Sequence, residues 1–159
     1  NHWTFVYSSG INETYSVVKV KYYPVFSDFI EFDVELNGIP VSDFQGKDVN
    51  VFFDFDYFGA NKTFFTDSNG LEMQERILNH RPTWNYSGDQ NVSANYHPIA
   101  SAIALWSNDT SRQATVLTER SQGGSACLNG NNSIEITQNR RLLYDDNRGV
   151  EEPLNETDA

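Results

Sequence analysis

Two adjacent carboxylates, Asp145 and Asp146, lie beside the arginines near the end of the chain and are the first candidates for catalysis. Paired carboxylates carry out glycoside hydrolysis when they flank the scissile bond, roughly 5 to 9.5 Å apart. Because neighbouring residues of a strand point to opposite faces, these two side chains would not meet across one bond. The pattern favours a turn in which the aspartates cap backbone groups and pair with Arg148. We therefore predict no complete catalytic set in this chain.

Two short motifs fail as catalytic or metal-binding loops. Residues 123–127 read Gly-Gly-Ser-Ala-Cys, which lacks the second glycine that a nucleophile elbow needs after its serine, so we predict a turn there. Residues 67–70 read Asp-Ser-Asn-Gly and resemble the start of a calcium loop. That loop needs an oxygen ligand at its fifth position and glycine at its sixth, where this chain has Leu71 and Glu72. Calcium binding of that kind is excluded.

The three histidines also fail to predict a metal site. His2, His80 and His97 are far apart in sequence, and no His or Cys follows any of them at metal-ligand spacing. Zinc sites normally need three or four protein ligands. The prediction for metal ligands in this chain is therefore none.

Composition excludes several classes of protein. The 11 Lys and Arg residues against 22 Asp and Glu residues give a net charge of -11, which repels nucleic-acid backbones. No apolar run approaches the roughly 20 residues that a membrane helix needs. We predict neither a nucleic-acid partner nor a membrane span. The single cysteine, Cys127, forms no internal disulfide framework and assigns no compartment; it is expected to be buried or paired with another segment.

Asn-x-Ser/Thr sequons are frequent and indicate a protein of the secretory pathway. Random placement of the 17 Asn among 24 Ser and Thr residues would give roughly three sequons. The chain has seven, so we predict N-glycosylation on exposed loops and a lysosomal or secreted location. The predicted acceptors are Asn12, Asn61, Asn85, Asn91, Asn108, Asn131 and Asn155.

Hydrophobic periodicity predicts strands along most of the chain. Within residues 29–36, the apolar residues at 30, 32, 34 and 36 alternate with acidic residues at 31, 33 and 35, which is typical of a half-exposed antiparallel strand. The first residues of the chain are also strand-like. Residues 71–78 are predicted to be a strand, with a short helix as the competing prediction. Further strands are predicted at 14–23, 49–55, 62–66, 99–106, 113–118 and 133–143.

This pattern predicts a mainly β fold made of antiparallel, sandwich-like sheets. No segment of about 12 residues has a sustained helical period between caps, and β-branched and aromatic residues dominate the periodic runs. Many short strands without alternating helices are typical of packed sheets. Trp84 and Trp106 could stack on a sugar but are predicted to be core residues, the commoner use of tryptophan in β domains.

Residues 140–157 form the most specific block of the sequence. They read Arg-Arg-Leu-Leu-Tyr-Asp-Asp-Asn-Arg-Gly-Val-Glu-Glu-Pro-Leu-Asn-Glu-Thr. This block resembles the lysosomal, or acid, α-mannosidases of glycoside hydrolase family 38. The resemblance continues, in the family's order, at residues 64–76, 81–84 and 115–125, and more weakly at 35–41 and 46–47. It covers roughly residues 30–157 and leaves 1–29 almost unmatched.

The resemblance implies a retaining acid exoglycosidase that removes terminal α-linked mannose from N-glycans. It also implies that the catalytic α/β domain, with its nucleophile, acid/base carboxylate and zinc ligands, lies outside this chain. Residues 1–159 would then be a single β-rich segment of the family's middle-to-C-terminal region. Its partners would be other polypeptides of the same processed enzyme, as in relatives cleaved into several chains, and Asn1 would mark such a cut.

The same resemblance points to an arginine that reaches the mannose site. Arg140 and Arg141 are adjacent on a predicted strand, so one is expected to face inward and one outward. Guanidinium groups suit the fixing of sugar hydroxyls. The sequence leaves open which arginine does so, and whether both instead form surface or interdomain ion pairs.

One residue departs from the family pattern. Residues 95–98 read Asn-Tyr-His-Pro, where the family has Asn-Tyr-Tyr-Pro, so His97 replaces a tyrosine. This replacement puts the role of the second ring in doubt, while Tyr96 is still expected to pack at an interdomain contact.

Two functions from different classes follow from the sequence. The first is a non-catalytic β-domain chain of an α-mannosidase that closes and supports the active site, with zinc held by the partner catalytic chain. The second is a self-standing, secreted, glycan-binding β-sandwich. A domain that has lost its catalytic partner should expose a large apolar face, whereas a self-standing module should fold and bind mannose alone.

Overall fold

A computed structural model describes residues 1–8, 14–25, 29–56, 58–88, 90–107, 111–130, 132–147, 149 and 151–156. Eleven strands and one turn of 3-10 helix form in these segments. The strands are β1 (His2–Ser8), β2 (Thr14–Tyr22), β3 (Ile30–Leu36), β4 (Lys47–Asp54), β5 (Thr63–Ser68), β6 (Glu72–Ile77), β7 (His97–Ile99), β8 (Ala102–Trp106), β9 (Gln113–Leu117), β10 (Gln122–Ala126) and β11 (Ser133–Arg141). The 3-10 turn is Ser93–Asn95. No helix in the described segments is long and apolar enough to cross a membrane.

The mainly β fold with antiparallel sheets is confirmed. The strands pair in three sheets, with orders β1-β2-β3, β4-β11-β10-β7 and β6-β5-β8-β9. Residues 71–78, for which a helix was the competing prediction, form β6. The single strand predicted at 99–106 is wrong, because β7 and β8 are separated by Ala100 and Ser101 and belong to different sheets.

The described chain divides into two compact units. Unit 1 comprises residues 1–47 and 140–159, and unit 2 comprises residues 48–139. Unit 1 contains the sheet β1-β2-β3. Unit 2 contains the other two sheets, apart from the first residue of β4 and the last two of β11.

The core of unit 2 lies between its two sheets. Phe64 of β5 and Leu105 of β8 are register partners and are fully buried, and Ile136 of β11 is buried from the opposite sheet. Alternate residues of each strand therefore face one shared layer, as in other β-sandwiches. The buried cluster consists of Phe58, Ala60, Phe64, Ile99, Ile103, Leu105, Ala126, Cys127, Ile134 and Ile136.

Strand β10 is missing from the sequence prediction, which placed a turn at residues 123–127. That prediction is wrong: Gly124 pairs with His97 of β7 on one side and with Ile136 of β11 on the other. A Cβ atom on Gly124 would come within 2.4 Å of Ile99 Cδ1 and 2.8 Å of the Glu135 carbonyl oxygen. Glycine at this position lets the neighbouring strands approach closely. Because glycine has a low strand propensity, the sequence pattern did not predict a strand here.

Both tryptophans that were predicted to be core residues are exposed, so this prediction is wrong. Trp106 is the last residue of β8, and strand alternation turns it away from the face on which Leu105 is buried. Trp84 lies in the connection between β6 and β7, where its ring meets the edge of Tyr86 at a centroid distance of 6.0 Å.

The buried carboxylate of Asp67, at the end of β5, fixes the passage of the chain between the two sheets of unit 2. Its Oδ1 accepts the backbone N–H groups of Ala100, Ser101 and Ala102 at 2.9, 2.9 and 3.0 Å, and its Oδ2 accepts that of Gly70 at 2.8 Å. Burial acts to raise the pKa of Asp67, but the four N–H donors outweigh it and lower the pKa to about 2. The carboxylate therefore holds the β5–β6 turn and the β7–β8 connection together.

Substitution of Gly124 tests the close approach of β10. We expect Gly124→Ala to destabilise the protein by about 1–3 kcal/mol, because the added methyl group meets both a core side chain and a backbone carbonyl. Gly123→Ala is the matched control, since its Cβ would lie 3.6 Å from its nearest neighbour, Tyr96. Thermal unfolding of the full-length protein compares the two, and equal stability of both variants would contradict this account.

Substitution of Asp67 tests the carboxylate clamp. We expect Asp67→Asn to lower the free energy of unfolding by about 2 kcal/mol at pH 7, because the charge-assisted bonds weaken. A lowered folded-state pKa makes this contribution complete above the ordinary value of 3.8 and removes it as the pH falls toward about 2. The difference from wild type should therefore shrink between pH 4 and 2 in denaturant unfolding. The exposed Asp54→Asn is the control, and a difference that does not depend on pH would refute the clamp.

Candidate functional site

Arg140 and Arg141 end strand β11, and both belong to unit 1. Arg140 is exposed, whereas Arg141 is half-buried. The Nη1 of Arg141 donates a hydrogen bond of 2.5 Å to the carbonyl oxygen of Ile39, and its Nε is buried without a hydrogen-bond partner in the described residues. The adjacent residues thus differ in exposure, in the sense that strand alternation predicts.

Lys47 holds the residue that follows Ile39, the acceptor of the Arg141 hydrogen bond. Lys47 Nζ donates to the Pro40 carbonyl oxygen at 2.7 Å and to Asp43 Oδ1 at 2.6 Å. Arg141 and Lys47 therefore bind the carbonyl groups of two consecutive residues, Ile39 and Pro40. Ile39 is itself buried, so the Arg141 guanidinium is held against an ordered part of unit 1.

The turn after β11 has the form that the sequence predicted for the adjacent aspartates. Asp145 Oδ2 accepts the backbone N–H of Asn147 at 3.0 Å, which is an aspartate-capped turn. Beyond it the chain returns, and the N–H of Leu142 donates to the Leu154 carbonyl oxygen at 2.7 Å. Arg148, the predicted ion-pair partner, lies outside the described residues.

The half-buried Tyr96 and the buried Glu135 form a polar pair in unit 2. The Tyr96 hydroxyl donates to Glu135 Oε1, and Asn129 Nδ2 lies 3.5 Å from Glu135 Oε2. Burial, followed by the hydrogen bond to Glu135, raises the pKa of Tyr96 above its usual value, so this hydroxyl remains a donor. Ser125 is the register partner of Glu135, and its buried Oγ has no partner in the described part of the chain.

His97 follows Tyr96 directly and is the first residue of β7. Its ring contacts Phe64 edge-on at a centroid distance of 5.7 Å and is half-buried. Burial, and then the charges of Arg76 and Arg81, lower the pKa of His97 to about 4. The imidazole is therefore neutral between pH 7 and about pH 4, and it packs as a half-buried aromatic ring against the core residue Phe64.

The connection between β6 and β7 is anchored by Asn95. Its Nδ2 donates to Asn79 Oδ1 at 2.8 Å and to the Asn91 carbonyl oxygen at 2.7 Å, while its Oδ1 accepts the N–H of Asn79 at 2.9 Å. Arg81 donates to the Ala94 carbonyl oxygen within the same connection. These bonds order the connection, which contains the 3-10 turn Ser93–Asn95, and thereby fix the side chains that it presents.

Arg81, Trp84 and Tyr86 form a small aromatic and cationic cluster on this connection. The Arg81 guanidinium carbon lies 5.4 Å from the centroid of the Tyr86 ring, within the range of a cation–π contact. Trp84, which packs edge-on against Tyr86, exposes 58% of its surface. An exposed aromatic face held in place by an anchored loop is a surface on which a sugar ring can stack.

Four of the predicted glycosylation acceptors are exposed: Asn61, Asn85, Asn91 and Asn155. Asn12, Asn108 and Asn131 lie outside the described residues. Among the residues that are described, no group of three or more His, Cys, Asp and Glu side chains is placed to hold a metal ion. The thiol of Cys127 is buried, and burial raises its pKa to about 11.

Sequence reasoning missed the structural importance of Asp67 and Glu135. Asp67 was considered only as a calcium ligand, although an Asp-x-Asn-Gly turn after an apolar strand is a common place for a carboxylate that accepts backbone N–H groups. The sequence clue at Glu135 is a charged residue between two isoleucines on a predicted strand. Neither its burial nor the pairing with Tyr96, 39 residues away, is encoded locally.

Replacement of His97 tests the electrostatic cost of its burial. A folded-state pKa of about 4, against 6.5 for the ordinary group, means that the unfolded chain takes up a proton as the pH falls below 6.5 while the folded chain does not. The full shift corresponds to about 3 kcal/mol, and solvent screening of the half-exposed ring reduces it, so His97 should cost about 1–2 kcal/mol of stability between pH 7 and pH 4. We expect His97→Tyr to flatten the fall of the unfolding temperature over this range. The exposed His80→Tyr is the control; a fall as steep in His97→Tyr as in wild type would contradict the assignment.

Comparison with known proteins identifies the family of this chain. The profile described as the Glycosyl hydrolases family 38 C-terminal domain matches residues 7–148. Lysosomal alpha-mannosidase of Bos taurus is 46% identical over 126 residues, which are 79% of this chain and 12% of the relative. That of Homo sapiens is 44% identical over 127 residues, 80% of this chain and 12% of the relative. That of Dictyostelium discoideum is 34% identical over 152 residues, 94% of this chain and 15% of the relative.

These matches cover most of this chain but only 12 to 15% of the length of the curated relatives. The matched residues run from the last two residues of β1 to the turn after β11, so they include strands β2 to β11, both arginines and the Asp67 clamp. The resemblance seen in the short sequence blocks is confirmed: the chain belongs to the C-terminal domain of glycosyl hydrolases family 38.

Proposed function

We propose that this chain is the non-catalytic β-rich part of a retaining acid α-mannosidase, which removes terminal α-linked mannose from N-glycans. Residues 1–159 act as one segment that closes and supports an active site whose catalytic groups lie elsewhere in the protein. The observation that carries the proposal is the match to lysosomal alpha-mannosidases at 43 to 46% identity over about 80% of the chain. The described residues offer no metal-holding cluster, so they do not fit the zinc that the resemblance implies.

Within this proposal the two arginines have different tasks. Arg141 is held by the Ile39 carbonyl group and positions the end of β11, whereas the exposed Arg140 extends toward the sugar. A guanidinium group donates two parallel hydrogen bonds, which suits a pair of neighbouring sugar hydroxyls. The nucleophile, the acid/base carboxylate and the zinc site belong to the catalytic polypeptide, and this chain supplies binding and orientation.

An acidic compartment agrees with the titration of the buried groups. Asp67, with a pKa of about 2, keeps its charge and its four N–H bonds at lysosomal acidity. His97, with a pKa of about 4, stays neutral there. The exposed acceptors Asn61, Asn85 and Asn91 are accessible to glycosylation in the secretory pathway. We therefore propose a lysosomal or secreted glycoprotein that stays associated with the other polypeptides of the same enzyme.

The aromatic cluster favours one alternative, a self-standing glycan-binding sandwich. The exposed Trp84, next to Tyr86 and Arg81, is the surface that would stack on a sugar in such a module. A self-standing module would bind mannosides in the absence of any other polypeptide and would lose that binding in Trp84→Ala. A domain of an enzyme would show neither behaviour.

Substitution of the arginines tests their proposed tasks. We expect Arg140→Ala to lower kcat/KM of the assembled enzyme by about 10- to 100-fold, because charge-assisted bonds to the sugar are lost, with thermal unfolding unchanged. Arg141→Ala should lower both activity and unfolding temperature, since the Ile39 carbonyl loses its donor. The exposed Arg120→Ala is the matched control. Full activity of both Arg140→Ala and Arg141→Ala would show that neither arginine contributes to the mannose site.

A further inference from the structure

The sheet β1-β2-β3 of unit 1 has two chemically different faces. One face carries ion pairs that cross the strands: Lys19 binds Glu35, and Lys21 Nζ lies 2.5 Å from Glu31 Oε1. In the strand register, Thr4, Lys19 and Asp33 form one row of this face. Lys19 and Lys21 are thus paired with carboxylates of β3, and a face of charged and polar groups is suited to solvent.

The opposite face is apolar across all three strands. The register aligns Trp3, Val20 and Phe32 in one row and Phe5, Val18 and Val34 in the next. Three large aromatic side chains of this face are exposed in the chain: Trp3 by 47%, Phe5 by 51% and Phe32 by 43% of their surface. Tyr22 and Ile30, which pair at the end of the sheet, are also exposed on this side.

An antiparallel sheet with one apolar and one charged face usually has a second layer of structure packed on its apolar face. A sheet that is apolar on one side is stable when a second layer of secondary structure covers that side. Contiguous exposed apolar patches on soluble proteins mark surfaces that bind other protein or membrane. Trp3 and Phe32 in one row and Phe5 in the next are also the kind of aromatic anchor that dominates protein–protein contacts.

The length of the relatives indicates what covers the apolar face of this sheet. Relatives that match this chain at up to 46% identity are about seven to eight times longer than the matched segment, since it covers 12 to 15% of them. A layer in the same protein is present at an effective concentration in the millimolar range, far above that of any separate copy.

We infer that the apolar face defined by Trp3, Phe5 and Phe32 is covered by an apolar layer from a part of the same enzyme that lies outside this chain. The inference rests on family membership and on the length of the relatives, and it holds whether or not Arg140 contacts the substrate. It identifies the surface through which this chain joins the rest of the enzyme and leaves the Lys19 and Lys21 face to solvent.

Cysteine accessibility in the full-length protein tests this inference. Single variants Phe5→Cys and Phe32→Cys place a thiol on the apolar face, and Thr4→Cys and Glu35→Cys place one on the charged face of the same strands. Labelling with a thiol reagent under native conditions, followed by peptide mass analysis, gives a rate for each site. Cys127 is buried and contributes little background. We expect the apolar-face thiols to react at least about tenfold more slowly than those of the charged face, and all four to react equally in denaturant.

Three further outcomes are decisive. Equal native rates on the two faces would overturn the inference, and so would protection that disappears on dilution to the monomer, which would make a second copy the occupant. If the Phe5 and Phe32 variants do not fold, hydroxyl-radical footprinting of Trp3 in the unmodified protein replaces them: protection supports the inference and oxidation at the rate of exposed Trp106 refutes it. An α-mannosidase assay on the same preparations separates this result from a failure of the proposed function.

Discussion

The Asp67 carboxylate is the interaction on which the sandwich of unit 2 depends. Its four hydrogen bonds join the β5–β6 turn to the short connection where the chain leaves one sheet at β7 and enters the other at β8. Because a carboxylate with a pKa of about 2 stays charged in acid, this junction persists under conditions that protonate ordinary carboxylates. The core between the sheets and the close approach of β10 at Gly124 both require this crossing to be fixed.

Other elements of the chain are held in place by the same kind of interaction, in which a side chain satisfies backbone groups. Asn95 orders the connection that carries Trp84, and Arg141 and Lys47 fix the carbonyl groups at Ile39 and Pro40. A mainly β domain with long connections has many backbone groups outside its ladders, and each one that is buried needs a partner. Ordered loops of this kind are suited to a supporting role, in which a rigid frame presents a few side chains to chemistry done elsewhere.

The sequence predicted the strands whose side chains alternate clearly and failed where tertiary contacts decide. Strand β3 and the charged face of its sheet follow from the alternation of residues 29–36. Strand β10 was hidden because its glycines reflect contact with Ile99 and the Glu135 backbone, which periodicity does not report. The tryptophan predictions failed because composition favours burial while strand alternation turned Trp106 outward. The arginine pair could be singled out from the sequence, but the contact of Arg141 with Ile39, 102 residues away, required the fold.

The central claim, that this chain works as the non-catalytic β domain of an α-mannosidase, is tested most directly by purifying the native protein without denaturant. The material is assayed for α-mannosidase at acid pH, and every polypeptide that co-elutes is identified by mass. The account predicts activity that travels with this chain and with a zinc-bearing catalytic segment of the same protein. A chain that elutes alone, inactive and able to bind mannosides would contradict it and establish a glycan-binding module instead.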